Sequence, residues 1–515
     1  MLCHESSLPR LIRTLKILVE LRPALEGHAG IPQETRLLFR GLGQLGGVEV
    51  QGLIQSSDRF LAAGLPNRSD LANRTLPADK QIDCLSRVVV SLQPPTTHLR
   101  ASLGGKLLRR VRRLAAPAAV LLFRSVLGLR QKLTWFDPEH FRDFVWRGLF
   151  AKSLPVEDFE QVTQARFRVA RAPYGAMHSC GLTTLKLGHA FYPRLDTRGV
   201  DAMLVMTPYP AMVTKGTMLV VRYFDAVPLL MPHTIINKAH HQALHFQALR
   251  RNVASGAYFA CCSDATRRDL LAAFPEVEAR AVTIPCMLSH DYFAEESSAR
   301  RVPEILAKRL NPAVHATLKT GMSMPNDSME EPSRVDYLLM VSTLEPRKNH
   351  ATLVEAWEHL RSDAYPGLKL VFVGSLGWDH EAIVERMRHW LERGAVFLLA
   401  GVPADELRLL YRHARATVCP SFAEGFGYAG VEAMRCGGVV AASDIPVHRE
   451  IYGDAAEYFN PYGAADMMRA VARIIDPGQD ERRQQLLAAG ANVSARYVPD
   501  RILPQWRDFL ASLER

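Results

Sequence analysis

Residues 420–438 (PSFAEGFGYAGVEAMRCGG) have types and a spacing that suit a phosphorylated ligand. A short apolar run ends at about Ser421, a loop with two glycines follows, and a helical pattern begins after the loop. The amino terminus of a helix offers unpaired N–H groups and the positive end of a dipole, which favour a phosphate. Glu424 in the loop and Glu432 in the helix are acceptors for hydroxyl groups. The segment predicts a site for a ligand with hydroxyl and phosphate groups; an ordinary loop before an exposed helical glutamate is the alternative interpretation.

The elements that must position this segment alternate regularly in the carboxyl-terminal half of the chain. Short apolar runs predict strands at 337–344, 368–375, 395–401, 416–421 and 438–443. Helical patterns lie between them, near 350–361, 379–393, 403–413 and 427–437. Asn349 is placed to cap the first of these helices and Gly437 to end the last. Apolar strands that alternate with helices are typical of a doubly wound parallel sheet, so we expect a Rossmann-like domain at 335–498.

The amino-terminal part, 1–310, shows the same alternation less regularly. Its candidate strands are 16–22, 48–54, 87–92, 202–208, 218–225, 258–263 and 281–285. An insertion at about 95–200 interrupts the alternation between the third and fourth of them. Residues 311–334 lack periodicity and predict a linker, and 499–515 predicts a helix that packs back across the domains. Ligands bind where the strands of such sheets end, so we expect the active site in the crevice between two facing α/β domains.

Length and composition exclude several classes of protein. The chain has 515 residues, of which 48% are hydrophobic and 23% charged, values typical of a folded globular protein and not of a disordered one. The longest apolar runs, such as 114–123, are shorter than the ~20 residues that span a bilayer. The amino terminus has no hydrophobic core, and the eight cysteines form no CxxC pair. We therefore expect a cytoplasmic protein with reduced thiols.

The net charge of +10 is concentrated in the first part of the chain. Residues 1–334 carry +14, whereas residues 335–515 carry −4. The stretch 99–132 alone holds nine basic residues and no acidic one, among many apolar side chains. Such a stretch suits the surface of an anionic membrane, and a core-facing helix with a solvated basic face explains it equally well. No nucleic-acid-binding module is recognisable, so we expect no nucleic-acid partner.

The order of several motifs resembles the retaining glycosyltransferases of family 4. The Glu-Gly-Phe-Gly loop, the second glutamate after seven further residues, and the Ala-Met and Cys-Gly-Gly that follow are similar to the signature of that family. Other similar blocks are VSTLEPRKNHATLVEAW (341–357), LVFVGSLGW (370–378) and ASDIPVHREIYGDAAEYFNP (442–461). The resemblance is strong over most of 335–475 and thin over parts of 16–295. It does not include 95–200.

The resemblance implies a fold, a reaction and roles for individual residues. The fold is GT-B, in which two Rossmann-like domains face each other across a cleft, and the reaction retains anomeric configuration and typically needs no metal ion. The residues expected at the donor are Gly30, Arg347, Lys348, Glu424, Gly425, Phe426, Gly427 and Glu432. Glu424 and the three backbone positions after it would hold the donor sugar, and Glu432 the ribose of its nucleotide. Lys348 and the loop of Gly30 would face the diphosphate from opposite sides.

The basic loop departs from the pattern of that family. Many relatives have Gly-Arg at the end of the first strand of the donor domain, where this chain has Ser342 and Thr343. We expect Arg347 to bind phosphate in place of the missing arginine, because a guanidinium binds phosphate through two hydrogen bonds. A solvent-exposed Arg347 without that role is the alternative.

A second departure lies at the end of a strand in the first domain. The family commonly has His-Asp there, with the histidine near the reacting centre, and this chain has Phe224 and Asp225. Phenylalanine donates no hydrogen bond. The alternatives are that Arg222 or Tyr223 takes over, that the activity is slow, or that catalysis has been lost.

We therefore predict a hexosyltransferase of surface-glycan synthesis, with mannose from GDP-mannose as the leading donor. Its partners would be a nucleotide sugar, a glycan or lipid-linked acceptor, and the inner face of the cell membrane through 99–132. The residues expected at the reacting centre are Glu424, Lys348 and Asp225, with no metal ion. A non-catalytic sugar-nucleotide-binding or scaffold protein of a polysaccharide assembly complex is the alternative that Phe224 motivates. An epimerase or phosphorylase of the same fold is a third.

Overall fold

The structure is a computed structural model that describes residues 14–25, 27, 30–66, 76–93, 127–185, 188–318 and 335–513. Two α/β units follow one another along the chain. The strands of the first unit are β1 (Leu15–Glu20), β2 (Val48–Ile54), β3 (Gln131–Phe136), β4 (Arg166–Ala170), β5 (Leu195–Asp196), β6 (Ala202–Val205), β7 (Met218–Tyr223), β8 (Tyr258–Cys261) and β9 (Ala281–Thr283). Its helices are α1 (Arg22–Leu25), α2 (Ile31–Leu42), α3 (Ala78–Leu92), α4 (Arg142–Val145), α5 (Phe159–Thr163), α6 (Tyr174–Leu185), α7 (Val227–Leu230), α8 (Lys238–Ala254), α9 (Asp264–Ala273) and α10 (Val302–Lys308).

The second unit is the more regular one. Its strands are β10 (Tyr337–Val341), β11 (Lys369–Val373), β12 (Val396–Leu399), β13 (Ala416–Cys419), β14 (Val440–Ser443) and β15 (Ala456–Phe459). The helices from the junction onward are α11 (Pro312–His315), α12 (His350–Asp363), α13 (His380–Glu392), α14 (Ala404–His413), α15 (Tyr428–Arg435), α16 (Pro446–Tyr452), α17 (Ala464–Ile475), α18 (Asp480–Ser494) and α19 (Pro499–Ser512). The sheet order β12-β11-β10-β13-β14-β15, with every pair parallel, is that of a doubly wound fold.

The first sheet is built around the same kind of parallel centre. Its order is β5-β3-β4-β2-β1-β6-β7-β8-β9, and the pair β3–β4 is antiparallel. The strand order reverses between β1 and β6, because β2 to β5 lie on one side of β1 and β6 to β9 lie on the other. The predicted class, two Rossmann-like doubly wound units, is therefore confirmed.

Part of the predicted insertion at 95–200 belongs to this first sheet. Residues 127–200 contribute β3, β4 and β5, which pair with one another and with β2. Residues 94–126, with most of the basic stretch, lie outside the described residues. The predicted strand at 87–92 is wrong, because these residues end α3. That helix buries Leu85, Val88 and Leu92 on one face and exposes Val90.

The segment that precedes the second unit packs against it, and the helix at its carboxyl-terminal end packs against the first unit. Residues 311–318 of the predicted linker lie against the second unit, where the Asn311 N–H donates to the Leu398 carbonyl and Val314 is buried. Residues 319–334 lie outside the described residues. Helix α19 returns to the first unit, where Leu503 packs against Gly41 of α2 and Phe509 against Tyr258 of β8. Among the helices of the described residues, none is long and apolar enough to cross a membrane.

Candidate functional site

Two loops meet at the carboxyl edge of the second sheet because β10 and β13 are neighbours in it. The loop after β10 contains a turn at Pro346–Lys348, and the loop after β13 leads into α15. The Phe422 N–H donates to the Arg347 carbonyl at 3.0 Å. Asn349 occupies the cap position of α12, as predicted. Its side chain, however, donates to the carbonyls of Pro420 (3.0 Å) and Pro461 (2.8 Å) and so joins the loops.

Glu424 is the centre of an ion cluster between these loops. Its Oε1 accepts from Lys348 Nζ at 2.5 Å and from Ser421 Oγ at 2.6 Å. Its Oε2 accepts from Arg347 Nη1 at 3.2 Å, and the other terminal nitrogen of Arg347 donates to Glu345 Oε1 at 2.8 Å. The side chains of Glu424 and Lys348 are only 14% and 16% exposed, so the cluster is shielded from bulk water. The structure therefore brings together three residues that the sequence predicts at the donor.

The protonation states in this cluster follow from its charges. Burial by itself raises the pKa of Glu424, but Lys348 and Arg347 outweigh it and hold the pKa well below its usual range. Burial would lower the pKa of Arg347, and Glu424, Glu345 and Asp225 raise it overall. Both groups stay charged at every physiological pH. Arg347 is 14% exposed, which excludes the alternative of a solvent-exposed side chain.

The backbone between Glu424 and α15 is shaped by close packing. Gly427 has φ +82°, a left-handed conformation that favours glycine, and its carbonyl accepts from the Tyr452 hydroxyl at 2.6 Å. The Phe426 side chain is buried between Tyr428 and Tyr497, with ring centroids 5.1 Å from each. The ring anchors the loop, and the amino terminus of α15 begins directly after it.

Glu432 lies one turn into α15 and is buried. Its Oε2 accepts from the Tyr411 hydroxyl at 3.0 Å, and its Oε1 accepts from Gln33 Nε2 of the first unit at 3.3 Å. Burial raises the pKa of Glu432 to about 7, and these two donors offset only part of the effect. Glu432 therefore differs from Glu424 in charge near neutral pH, although both were predicted as hydroxyl acceptors.

The loop between β13 and α15, residues 420–427, is the predicted donor loop. The first unit holds it through the carbonyl of Gly425. Ser263 Oγ donates to that oxygen at 2.8 Å and Cys262 Sγ lies 3.1 Å from it. Ser263 also caps α9, and its hydroxyl accepts from the Thr266 N–H. A Cβ at Gly425 would overlap the carbonyl oxygen of Phe224, so this position requires glycine for the two units to meet.

The region around Phe224 bears on one of the alternatives that the sequence leaves open. Arg222 is fully buried and pairs with Glu34 at 2.8 Å, so it cannot replace a histidine at the reacting centre. Tyr223 is also buried, with its hydroxyl 3.5 Å from His245 Nε2. Arg222 and Tyr223 are consecutive on β7 and therefore point to opposite faces of the sheet, where each is buried among its own partners. Asp225 accepts from the Val227 N–H at 3.0 Å and lies near enough to Arg347 to raise its pKa.

Several site residues escape the sequence analysis. Gln33 and Glu34 of α2 contact α15; they follow Gly30, a predicted residue that immediately precedes α2 with φ +68°. Ser421 and Glu345 complete the hydrogen bonds of the ion cluster. Both lie inside motifs already quoted, but their types alone carried no signal. No group of three or more potential metal ligands occurs among the described residues.

The close contact at Gly425 gives a prediction for packing. We expect Gly425→Ala to lower the melting temperature and to enlarge the radius of gyration in small-angle scattering, because the added methyl group pushes Phe224 away. Gly367→Ala is the control, since its Cβ would have open space around it. Equal melting temperatures and radii for the two variants would contradict the contact.

The buried carboxyl of Glu432 gives a prediction for pH. Its folded pKa of about 7 exceeds the ordinary value of 4.5, so the folded state binds an extra proton between these pH values. Stability from this group is present below about pH 4.5 and is lost as pH rises through 7. We therefore compare the free energy of unfolding of Glu432→Gln with that of wild type. We expect the difference in favour of the variant to be larger at pH 8 than at pH 5, by on the order of 3 kcal/mol. Urea unfolding at both pH values measures this, and a pH-independent difference would refute it.

The chain is similar in sequence to known proteins. Residues 327–492 match the family described as glycosyl transferases group 1. The O-antigen chain mannosyltransferase B of Escherichia coli is 32% identical over 160 residues, which cover 31% of this chain and 41% of that protein. The O-antigen chain mannosyltransferase RfbU of Salmonella typhimurium is 30% identical over 187 residues, 36% of this chain and 50% of that protein. The chain thus spans half or less of these relatives.

A solved structure supports the fold over the whole chain. The sucrose-phosphate synthase of Thermosynechococcus elongatus superposes with a TM-score of 0.55 at 15% identity, and the match covers 97% of this chain and 99% of that one. The predicted resemblance and the predicted GT-B fold are confirmed. The part of the chain that is similar to the glycosyl transferases group 1 family is therefore residues 327–492, and the chain has the GT-B fold.

Proposed function

We propose that this chain is a retaining glycosyltransferase of surface-glycan synthesis. It moves a hexose, with mannose from GDP-mannose as the first candidate, to a polysaccharide or lipid-linked oligosaccharide acceptor. The observation that carries the proposal is the ion cluster of Glu424 with Lys348 and Arg347, which lies beside the amino terminus of α15 in the matched family domain. The similarity to two O-antigen mannosyltransferases supports the choice of sugar and of acceptor class.

The cluster suits the binding of a sugar diphosphate. Glu424 is ionised. Its Oε1 already accepts from Lys348 and Ser421, whereas its Oε2, which accepts from Arg347, has a further acceptor site for a sugar hydroxyl. Lys348 and Arg347 supply two fixed positive charges, and the amino terminus of α15 adds the positive end of a dipole. These groups stabilise the diphosphate that leaves when the sugar–phosphate bond breaks, and each preorganised contact is worth about 3 kcal/mol. Because the chain's own cations provide this charge, we propose that the reaction needs no metal ion.

The first unit supplies the acceptor side of the crevice. Asp225 stands at the carboxyl end of β7, beside Arg347, and Phe224 presents its carbonyl to the donor loop. The Phe224 carbonyl accepts from Cys262 Sγ at 2.9 Å, and the same sulfur lies 3.1 Å from the Gly425 carbonyl, so Cys262 links the two backbone segments. We propose that Asp225 lies at the reacting centre and that the acceptor hydroxyl approaches from this side.

Release of nucleoside diphosphate tests the proposal. Purified protein is incubated with GDP-mannose, GDP-fucose, UDP-glucose, UDP-galactose and dTDP-rhamnose, each with a lipid-linked oligosaccharide mixture as acceptor. We expect turnover of one donor, and a loss of about a hundredfold or more in Glu424→Ala, because a preorganised charge is removed. Glu381→Ala is the control, since its side chain is 79% exposed.

The contradicting outcomes are specific. Turnover that Glu424→Ala retains would remove Glu424 from the site. If none of the five nucleotide sugars binds, the chain is not a transferase of this kind. Binding without turnover, even in Phe224→His, would favour a non-catalytic sugar-nucleotide-binding protein.

We also propose that the basic stretch 99–132 brings the enzyme to the inner face of the cell membrane. Nine basic and no acidic residues give it the charge that anionic lipids attract. We expect sedimentation with vesicles of phosphatidylglycerol and phosphatidylcholine, and about tenfold weaker binding at 0.5 M salt or after replacement of Arg109, Arg110, Arg112 and Arg113 by Gln. Equal binding to vesicles of phosphatidylcholine alone would contradict this role.

A further inference from the structure

Two neighbouring residues of α2 contact helix α15 of the second unit across the crevice. Gln33 Nε2 donates to Glu432 Oε1 at 3.3 Å, and the Tyr428 hydroxyl donates to Glu34 Oε2 at 2.9 Å. Tyr428 and Glu432 are four residues apart, so they lie on one face of α15. The two contacts together fix both the distance between the helices and the rotation of α15 about its axis.

Glu34 is held rigidly on the side of the first unit. Its Oε1 accepts from Arg222 at 2.8 Å, and its Oε2 also accepts from the Met287 N–H at 3.1 Å. Arg222 in turn donates to the Ile284 carbonyl at 2.5 Å and lies 5.4 Å from the ring of Trp506. Neither Glu34 nor Arg222 has any solvent exposure. A buried, paired carboxylate in a fixed position directs the Tyr428 hydroxyl to one place.

The charge of Glu34 explains why it needs Arg222. An unpaired carboxylate near the amino terminus of α15 would repel a diphosphate and would be costly to bury. The fully buried guanidinium compensates that charge. Glu34 therefore accepts from Tyr428 without imposing a net negative charge on the phosphate region.

We propose that Gln33 and Glu34 are positioning residues that clasp α15 to the first unit and thereby set the gap in which the diphosphate of the nucleotide sugar is bound. Gly30 immediately precedes α2, and Gly427 immediately precedes α15. The clasp therefore holds the amino termini of these two helices in fixed positions relative to each other. This inference rests on the proposed function, because it assigns the gap to a sugar diphosphate. It adds residues to the site that touch neither the sugar nor the reacting atoms.

The test removes one hydroxyl. Tyr428→Phe loses the bond to Glu34 and leaves the pair of Glu34 with Arg222 intact. Tyr337→Phe is the matched control, because its buried hydroxyl donates to the Leu410 carbonyl within the second unit at 2.8 Å. Gln33→Met is a second variant that removes the other contact and keeps the side-chain volume.

Two readouts are measured on the full chain. Hydrogen–deuterium exchange of the ligand-free protein should rise in both 31–42 and 428–435 for Tyr428→Phe and Gln33→Met, and in neither segment for the control. The KM for the nucleotide sugar that the wild type uses should rise about tenfold in Tyr428→Phe while kcat changes less than about threefold, because donor binding and not the chemistry is affected.

Each result decides a separate point. Unchanged exchange in both variants would overturn the clasp. Raised exchange with a wild-type KM would overturn the positioning role and leave the proposed function intact. A wild-type protein that binds no nucleotide sugar would overturn the proposed function itself, and the assignment of the gap with it.

Discussion

The pairing of Glu424 with Lys348 and Arg347 is the interaction on which the candidate site depends. The two loops that it joins are separated by more than 70 residues of sequence and meet only because β10 and β13 are adjacent. A carboxylate at this depth is strongly destabilising unless cations and hydrogen bonds compensate it, and removal of one partner leaves the other charge uncompensated. The charges that would bind a sugar diphosphate are therefore also the charges that hold the loops together.

The same loop is shared between the two units. The Gly425 carbonyl is bound by Ser263 and Cys262 of the first unit, while Glu424, the preceding residue, is bound within the second. Glu450 adds a further contact across the crevice, where its carboxylate accepts from the N–H groups of Asp264 and Ala265 at 2.6 and 2.7 Å. The conformation of the loop is thus coupled to the arrangement of the units, and a ligand that changes one changes the other.

The sequence predicts the second unit well for a physical reason. Strands that are buried on both faces are nearly continuous apolar runs, and the helices between them are long enough to show their own periodicity. The first unit is harder, because 87–92 is a short apolar run that fits a strand or the buried face of a helix. The membership of β3, β4 and β5 in the first sheet depends on pairing between distant residues, which no local pattern contains.

The candidate site was likewise predictable from the sequence only in part. Glu424 and Lys348 follow from motifs, but their pairing does not, and neither does the role of Gln33, which contacts a residue 399 positions away. Arg222 was one of two residues considered as a substitute for the family's histidine, and it is a buried partner of Glu34. Residue type and spacing identify groups able to do chemistry, whereas burial and long-range hydrogen bonds decide which of them face the ligand.

A crystal structure with a bound nucleotide sugar would show whether Glu424 contacts the ligand. We expect hydroxyl groups of the sugar to lie within hydrogen-bond distance, about 3 Å, of the Glu424 carboxylate. We also expect the diphosphate to lie between Lys348 and the amino terminus of α15, opposite Gly30. A nucleotide sugar bound outside the crevice, or one that leaves Glu424 without a ligand contact, would contradict these expectations.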